Sequence, residues 1–242
     1  ALAASGSPGL VAAPPGGDAA YCVERGVVLR VEPASLSVSV VGRLHPAAPN
    51  VAAAPDGLLW GRVGERRLAA LEPASGSFAA EVTLPLRPYN LLVAANGKAY
   101  VTHNTLTADG FWVSVVDTRE RRLLAPVKGI EGLRTSLAEG PGCVFLATMD
   151  VVEGGQLRLY RIDTATDQAV ELRREAQRGC SWLVVPAGER VFVCRSARGP
   201  GAPPARVDVL EAESGRRLRW LEGPALGRVR PVAGVPFSAS GR

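Results

Sequence analysis

Val113-Ser114-Val115-Val116-Asp117-Thr118 is a run of strand-forming residues that ends on an acid and a turn, and it recurs. Val28-Leu29-Arg30-Val31-Glu32-Pro33, Leu68-Ala69-Ala70-Leu71-Glu72-Pro73, Leu159-Tyr160-Arg161-Ile162-Asp163-Thr164 and Val207-Asp208-Val209-Leu210-Glu211-Ala212 repeat the pattern. Between the acids the steps are 40, 45, 46 and 48 residues. A carboxylate at the first position of a tight turn accepts hydrogen bonds from the backbone amides that follow, and a proline next to it presets φ. Each copy therefore marks a strand running into a hairpin.

Further strand-like segments flank each marker in a constant order. In the third copy Asn90 to Ala94 leads through Asn96-Gly97, a strong hairpin signal, to Ala99 to Thr102, then Phe111 to Asp117, then Arg122 to Pro126. In the fifth, Trp182 to Val185 turns into Val191 to Cys194, followed by Val207 to Glu211 and Arg217 to Leu221. The first copy opens with Leu10 to Ala13 and Ala20 to Val23. Proline and glycine interrupt the chain too often for helical periodicity. Four strands per module at a period of about 40 to 50 residues predict an all-β chain: a β-propeller of four-stranded antiparallel blades. A β-sandwich would not repeat a whole module with its turn in register, and a solenoid has a shorter period. The chain reads as one domain over 1–242, with modules at 7–45, 46–86, 87–129, 130–178 and 179–223 and a partial one at 224–242 that contains Val229 to Ala233. Five blades are recognisable, and a count from five to seven fits.

Nearly half of the 242 residues are apolar, enough for a large core, yet no apolar run is long enough to cross a bilayer. The net charge of +5 comes almost wholly from arginine, since Lys98 and Lys128 are the only lysines. Such a skew reflects codon usage or a hot habitat as readily as a polyanionic partner. The opening Ala1-Leu2-Ala3-Ala4-Ser5-Gly6 has the small residues found around signal-peptidase sites, so an extracytoplasmic protein is expected, although a trimmed chain reads the same. Cys22, Cys143, Cys180 and Cys194 show no metal-ligand spacing with His45 and His103, and no metal or cofactor is implied. Cys180 and Cys194 flank a hairpin. If its loop is Pro186-Ala187-Gly188 they fall opposite one another, and a disulfide or two buried thiols would follow.

Tyr100-Val101-Thr102-His103-Asn104, followed by the Val113 to Thr118 marker, resembles the repeat signature of the YVTN-type β-propeller repeat proteins, a bacterial and archaeal group often found on cell surfaces or in the periplasm. The resemblance extends faintly over residues 7–235 and is clearer again at Ile162-Asp163-Thr164-Ala165-Thr166. It implies ligands on the face made by loops joining second to third strands and outer to inner strands. It implies no activity, because the matching residues are structural.

The longest loops expected on that face run from His103 to Gly110, Met149 to Gly155 and Arg195 to Arg206. His103, Asn104, Asp109, Asp150, Glu153 and Arg195 are their candidate binding residues, against a bland reading as solvated loop polarity. Tyr89, Asn90, Arg134 and Trp182 stand near the starts of innermost strands, where they line the central channel or hold a small ligand. Arg121-Arg122, Arg173-Arg174 and Arg216-Arg217 fall on outermost strands, where solvated charge protecting a sheet edge outranks nucleic-acid binding. No partnered nucleophile appears, so no catalytic residue is assigned. The reading is a non-catalytic, extracytoplasmic and monomeric binding module for a protein or a small molecule. Its alternative is a propeller enzyme, lactonase-like or quinoprotein-like, with a polar site at the channel mouth.

Overall fold

The computed structural model describes residues 19–46, 48, 50–103, 111–132, 134–149, 156–176, 180–197 and 206–222. Among them every regular element is a β-strand. The chain forms two compact units.

The first unit holds three sheets. One consists of β1 (Ala20–Glu24), β2 (Val27–Glu32) and β3 (Ser37–Arg43). The next contains β4 (Val51–Ala53), β5 (Leu59–Arg62), β6 (Arg67–Leu71) and β7 (Phe78–Thr83). The third is β8 (Pro88–Val93), β9 (Lys98–His103), β10 (Phe111–Asp117) and β11 (Arg122–Leu123), with the C-terminal half of β10 in this unit. The second unit takes the start of β10, β12 (Val127–Ile130), and two further sheets. These are β13 (Arg134–Gly140), β14 (Cys143–Met149), β15 (Gln156–Asp163) and β16 (Ala169–Ala176), then β17 (Cys180–Ala187), β18 (Arg190–Ala197), β19 (Arg206–Glu211) and β20 (Arg217–Glu222). Every pairing is antiparallel between neighbours in sequence, apart from the β10–β12 pair, so each module folds as its own meander. The expected first strand at Leu10 to Ala13 and the tail segment Val229 to Ala233 lie outside the described residues.

The repeated acidic turn explains why the modules share one shape. Four residues after each acid the backbone is left-handed: Leu36 (φ 53°), Gly76 (71°), Arg121 (57°), Asp167 (56°) and Gly215 (68°). The amide at that position returns to the carbonyl of the acid, as in Gly76 to Glu72 (2.9 Å), Asp167 to Asp163 (2.8 Å) and Gly215 to Glu211 (2.9 Å). Aspartate and glutamate serve the turn differently. The short Asp117 carboxylate accepts the amides of Arg119 (3.0 Å) and Glu120 (2.9 Å), and Asp163 accepts those of Ala165 (2.9 Å) and Thr166 (3.0 Å). Glutamate is a methylene longer and reaches a serine hydroxyl instead: Ser35 (3.2 Å) for Glu32, Ser75 (2.7 Å) for Glu72, and Ser214 for Glu211. Those serine oxygens then accept the amides of Ser37, Ser77 and Arg216.

Side chains alternate across each strand, so a central sheet feeds two cores. Val51, Leu59 and Leu71 pack with Tyr21, Val23 and Val28 of the first sheet, while Ala52, Trp60, Leu68 and Val82 pack with Leu91, Val93, Ala99 and Val101 of the third. In the second unit Phe145, Ala147 and Leu159 meet Val184, Val191, Val193 and Leu210. Strands buried on both faces are therefore apolar throughout, as in Leu68-Ala69-Ala70-Leu71.

Two expectations need correction. The outer strand of the third module does not run from Arg122 to Pro126. It stops at Leu123 and resumes as β12, because Pro126 has no amide to donate to the ladder. The cysteine hairpin is tighter than expected: Ala187 pairs with Arg190 around Gly188-Glu189, and Gly188 is left-handed (φ 59°). Cys180 consequently faces Ala197 and Cys194 faces Leu183. Three residues of offset separate the cysteines by about 10 Å along the strands, beyond disulfide reach, and Cys194 is a free thiol.

Candidate functional site

Arg62-Val63-Gly64-Glu65-Arg66-Arg67 joins the second and third strands of module two in a tight loop, closed by the Val63 amide on the Arg67 carbonyl at 3.1 Å. Arg62 folds back over this loop. Its Nε donates to the Gly64 carbonyl at 2.8 Å and a terminal nitrogen donates to Glu65 at 3.0 Å. Loops from either side converge on the same carboxylate. His45, between the first and second sheets, brings Nε2 to 3.7 Å from Glu65, and Arg87, between the second and third, brings Nε to 3.7 Å. Both segments are anchored through backbone atoms: the His45 N–H donates to the Arg62 carbonyl at 2.8 Å, and the Arg87 carbonyl accepts from the His103 ring at 3.0 Å. Arg66 adds another cation beside them, donating to the Pro85 carbonyl at 3.2 Å.

The electrostatics of this group are unbalanced. Arg62 is 3% exposed and Glu65 69% exposed. Burial, and then repulsion from Arg87, pull the Arg62 guanidinium below its ordinary range despite Glu65. Asn50 lies on the same sheet face. Val51 pairs with Gly61, so Asn50 stands opposite Arg62, on the side that carries Ala52 and Trp60 toward the third sheet. Its Nδ2 donates to the Leu91 carbonyl at 2.6 Å, and its Oδ1 is buried with no hydrogen-bond partner among the described residues.

The residues singled out from sequence fare unevenly. His103 is no rim ligand: it is fully buried, one ring nitrogen bonds the Arg87 carbonyl and the other lies 2.8 Å from Ser114 Oγ, itself buried. Burial pushes its pKa down, against the opposing pull of the Arg87 carbonyl. Arg195 is also buried, and it joins Glu175 of one sheet to Asp208 of the next; Arg206 adds a fork to Asp208 at 2.9 and 2.6 Å. Tyr89 is exposed on β8, and the Asn90 amide donates to Thr102 at a bulge. Arg134 and Trp182 lie on β13 and β17 opposite Met149 and Arg195, but their side chains, with Asn104, Asp109, Asp150 and Glu153, are outside the described residues. The arginine pairs are exposed to solvent as expected, apart from the half-buried Arg173, and most of them are ion-paired. Arg122 bonds Glu120, Arg173 bonds Glu175, Arg174 bonds Glu171, Arg216 bonds Glu211, and Arg121 donates to the Ala79 carbonyl. Among the described residues no group of three His, Cys, Asp or Glu gathers at metal-binding distance.

Sequence reasoning weighed His45 only as a metal ligand and passed over Asn50, Arg62, Glu65 and Arg87. One signal was available: Asn50 and Asn90 are a module apart, each seven residues before the hairpin glycine, Gly57 or Gly97.

No family model matches the chain, and no curated protein matches it in sequence. Solved structures do. Hydrazine synthase from Kuenenia stuttgartiensis has a TM-score of 0.68 at 14% identity over 86% of this chain and 64% of its own. The Dos1 propeller gives 0.65 at 12% identity over 94% and 61%, and U3-55K gives 0.68 at 14% over 91% and 65%. The chain thus spans between 61% and 65% of the length of these proteins. At such identity the likeness speaks of fold alone, and with one antiparallel sheet per module it makes the fold that of a β-propeller.

Proposed function

We propose that the chain is a binding module of the cell envelope, a propeller of the YVTN type that engages its ligand on the face of the second-to-third-strand and sheet-to-sheet loops. The observation that carries this reading is the convergence of His45, Arg62, Glu65 and Arg87 from three such loops into one partly exposed, net cationic group. Short loops anchored by backbone bonds hold these side chains in place before a ligand arrives, which lowers the entropy cost of binding. Acid–base chemistry finds less support. The His103–Ser114 pair has the atoms of a base and a nucleophile, but both residues are shut off from solvent and the ring is held on both sides.

Native mass spectrometry of the protein isolated from its source, run beside a lactone-hydrolysis assay, tests the reading. A bound small molecule or protein without turnover is expected. Saturable turnover that survives repurification would replace it with the enzyme reading. Cell fractionation tests the location: the protein is expected in the periplasmic or surface fraction, and recovery in the cytosol alone contradicts that part.

A further inference from the structure

We infer that the cluster of Arg62 and Arg87 binds a small ligand through an oxyanion, a carboxylate or a phosphate, which takes the place now held by the Glu65 carboxylate. This rests on the binding reading and adds the chemistry of the ligand.

Glu65 itself shows what the cluster accepts. It is a carboxylate on a loop tip, bonded to Arg62 at 3.0 Å but only 3.7 Å from Arg87 and from His45. A guanidinium satisfied by a carboxylate makes contacts of about 2.8 Å, often in pairs. Glu65 thus satisfies Arg62 and leaves Arg87 held by charge attraction alone. Charge points the same way, since two guanidiniums share one carboxylate and Arg66 stands next to them. Arg62 is almost fully buried, and a buried cation is costly unless well paired. A ligand oxyanion lying between the two arginines would give each a short contact, and Glu65, mostly exposed, can turn into water without loss of packing.

A second feature is independent of charge. Among the described residues Asn50 Oδ1 is a buried acceptor without a donor, on the same sheet face as Arg62 and opposite it in the ladder. Buried acceptors are nearly always satisfied. A ligand that carries a hydroxyl as well as an acid group brings a donor to the sheet face on which this acceptor lies, so a hydroxylated acid such as a uronic acid is the probe chosen beside a plain anion.

The test is titration of the full chain with inorganic phosphate and with glucuronate at constant ionic strength, read by calorimetry. Three proteins are compared: the wild type, Glu65→Gln and Arg87→Gln. Arg87 is more than half exposed, so the second variant is expected to fold. Saturable binding of at least one probe is expected, tightened about threefold or more in Glu65→Gln, where a competing charge is lost, and weakened about tenfold or more in Arg87→Gln. Absence of saturable binding by either probe overturns the inference. So does equal binding in the wild type and Arg87→Gln, which would mean a diffuse charge effect, and so does binding confined to a long polyanion such as heparin. If these titrations fail while the native protein carries some other bound molecule, the oxyanion site falls and the binding reading stands. Lactone turnover would remove the binding reading itself.

Discussion

Burial keeps the His103 ring neutral, and this couples stability to pH. Its folded pKa lies below the unfolded value of about 6.5, so the unfolded chain binds the extra proton first. The contribution is fully present above about pH 7.5 and is lost as pH falls through 6.5 toward the folded pKa. Carboxylates titrate mostly lower, which leaves this window comparatively clear. Replacing His103 with Gln removes the titration and breaks a bond to Ser114 or to the Arg87 carbonyl, at about 1–3 kcal/mol. Urea midpoints should therefore fall between pH 7.5 and 5.5 in the wild type and stay flatter in His103→Gln; parallel profiles would contradict the assignment. His103 illustrates what a sequence hides. It stands at the end of a strand beside Asn104 and reads as a rim residue, whereas its burial is decided by Arg87, sixteen residues away, and by Ser114 on the next strand. The cysteines failed for a local reason: moving the turn from Pro186-Ala187-Gly188 to Gly188-Glu189 displaces every cross-strand partner.

The acidic hairpin is where sequence and structure agree best, because its chemistry is contained in five or six consecutive residues. Turn, strand end and left-handed residue recur in all five copies. Glycine costs separate there into two kinds. Gly76 is left-handed, and an added Cβ would lie 2.4 Å from the Val41 carbonyl on the neighbouring sheet; Gly57 is left-handed with nothing within 4 Å. Gly57→Ala should cost about 1 kcal/mol from backbone strain alone, and Gly76→Ala at least about 2 kcal/mol more, since the sheets must part. Denaturant unfolding of both variants checks this, and equal losses would show that the close approach of β6–β7 hairpin and β3 is wrong. Pro126 marks the limit of legibility at this level. The marker predicts a fourth strand after it, and the missing proline amide decides that the strand comes in two pieces.

Repetition made the architecture readable across the chain, since a module that recurs every 40 to 48 residues must stack on its neighbours to bury both faces. The buried ionic network was not readable. In the second unit Asp208, 1% exposed, holds Arg195 and Arg206, with Arg217 at 3.8 Å. Asp208→Ala strands buried cations and should cost about 3–5 kcal/mol, while Arg217→Ala removes a half-exposed, distant partner and should cost under about 1 kcal/mol. Thermal unfolding of the two variants would refute the network if their order were reversed. The candidate site was hidden for the same reason. His45, Arg62, Glu65 and Arg87 belong to three short loops in different places along the chain, and attention to long loops led to His103 and Arg195, which are buried, and to residues outside the described part. A crystal structure grown with glucuronate tests the account most directly. It predicts a carboxylate between Arg62 and Arg87, with Glu65 turned toward solvent. Glucuronate bound elsewhere, or a Glu65 that keeps its place between the arginines at saturating ligand, would contradict it.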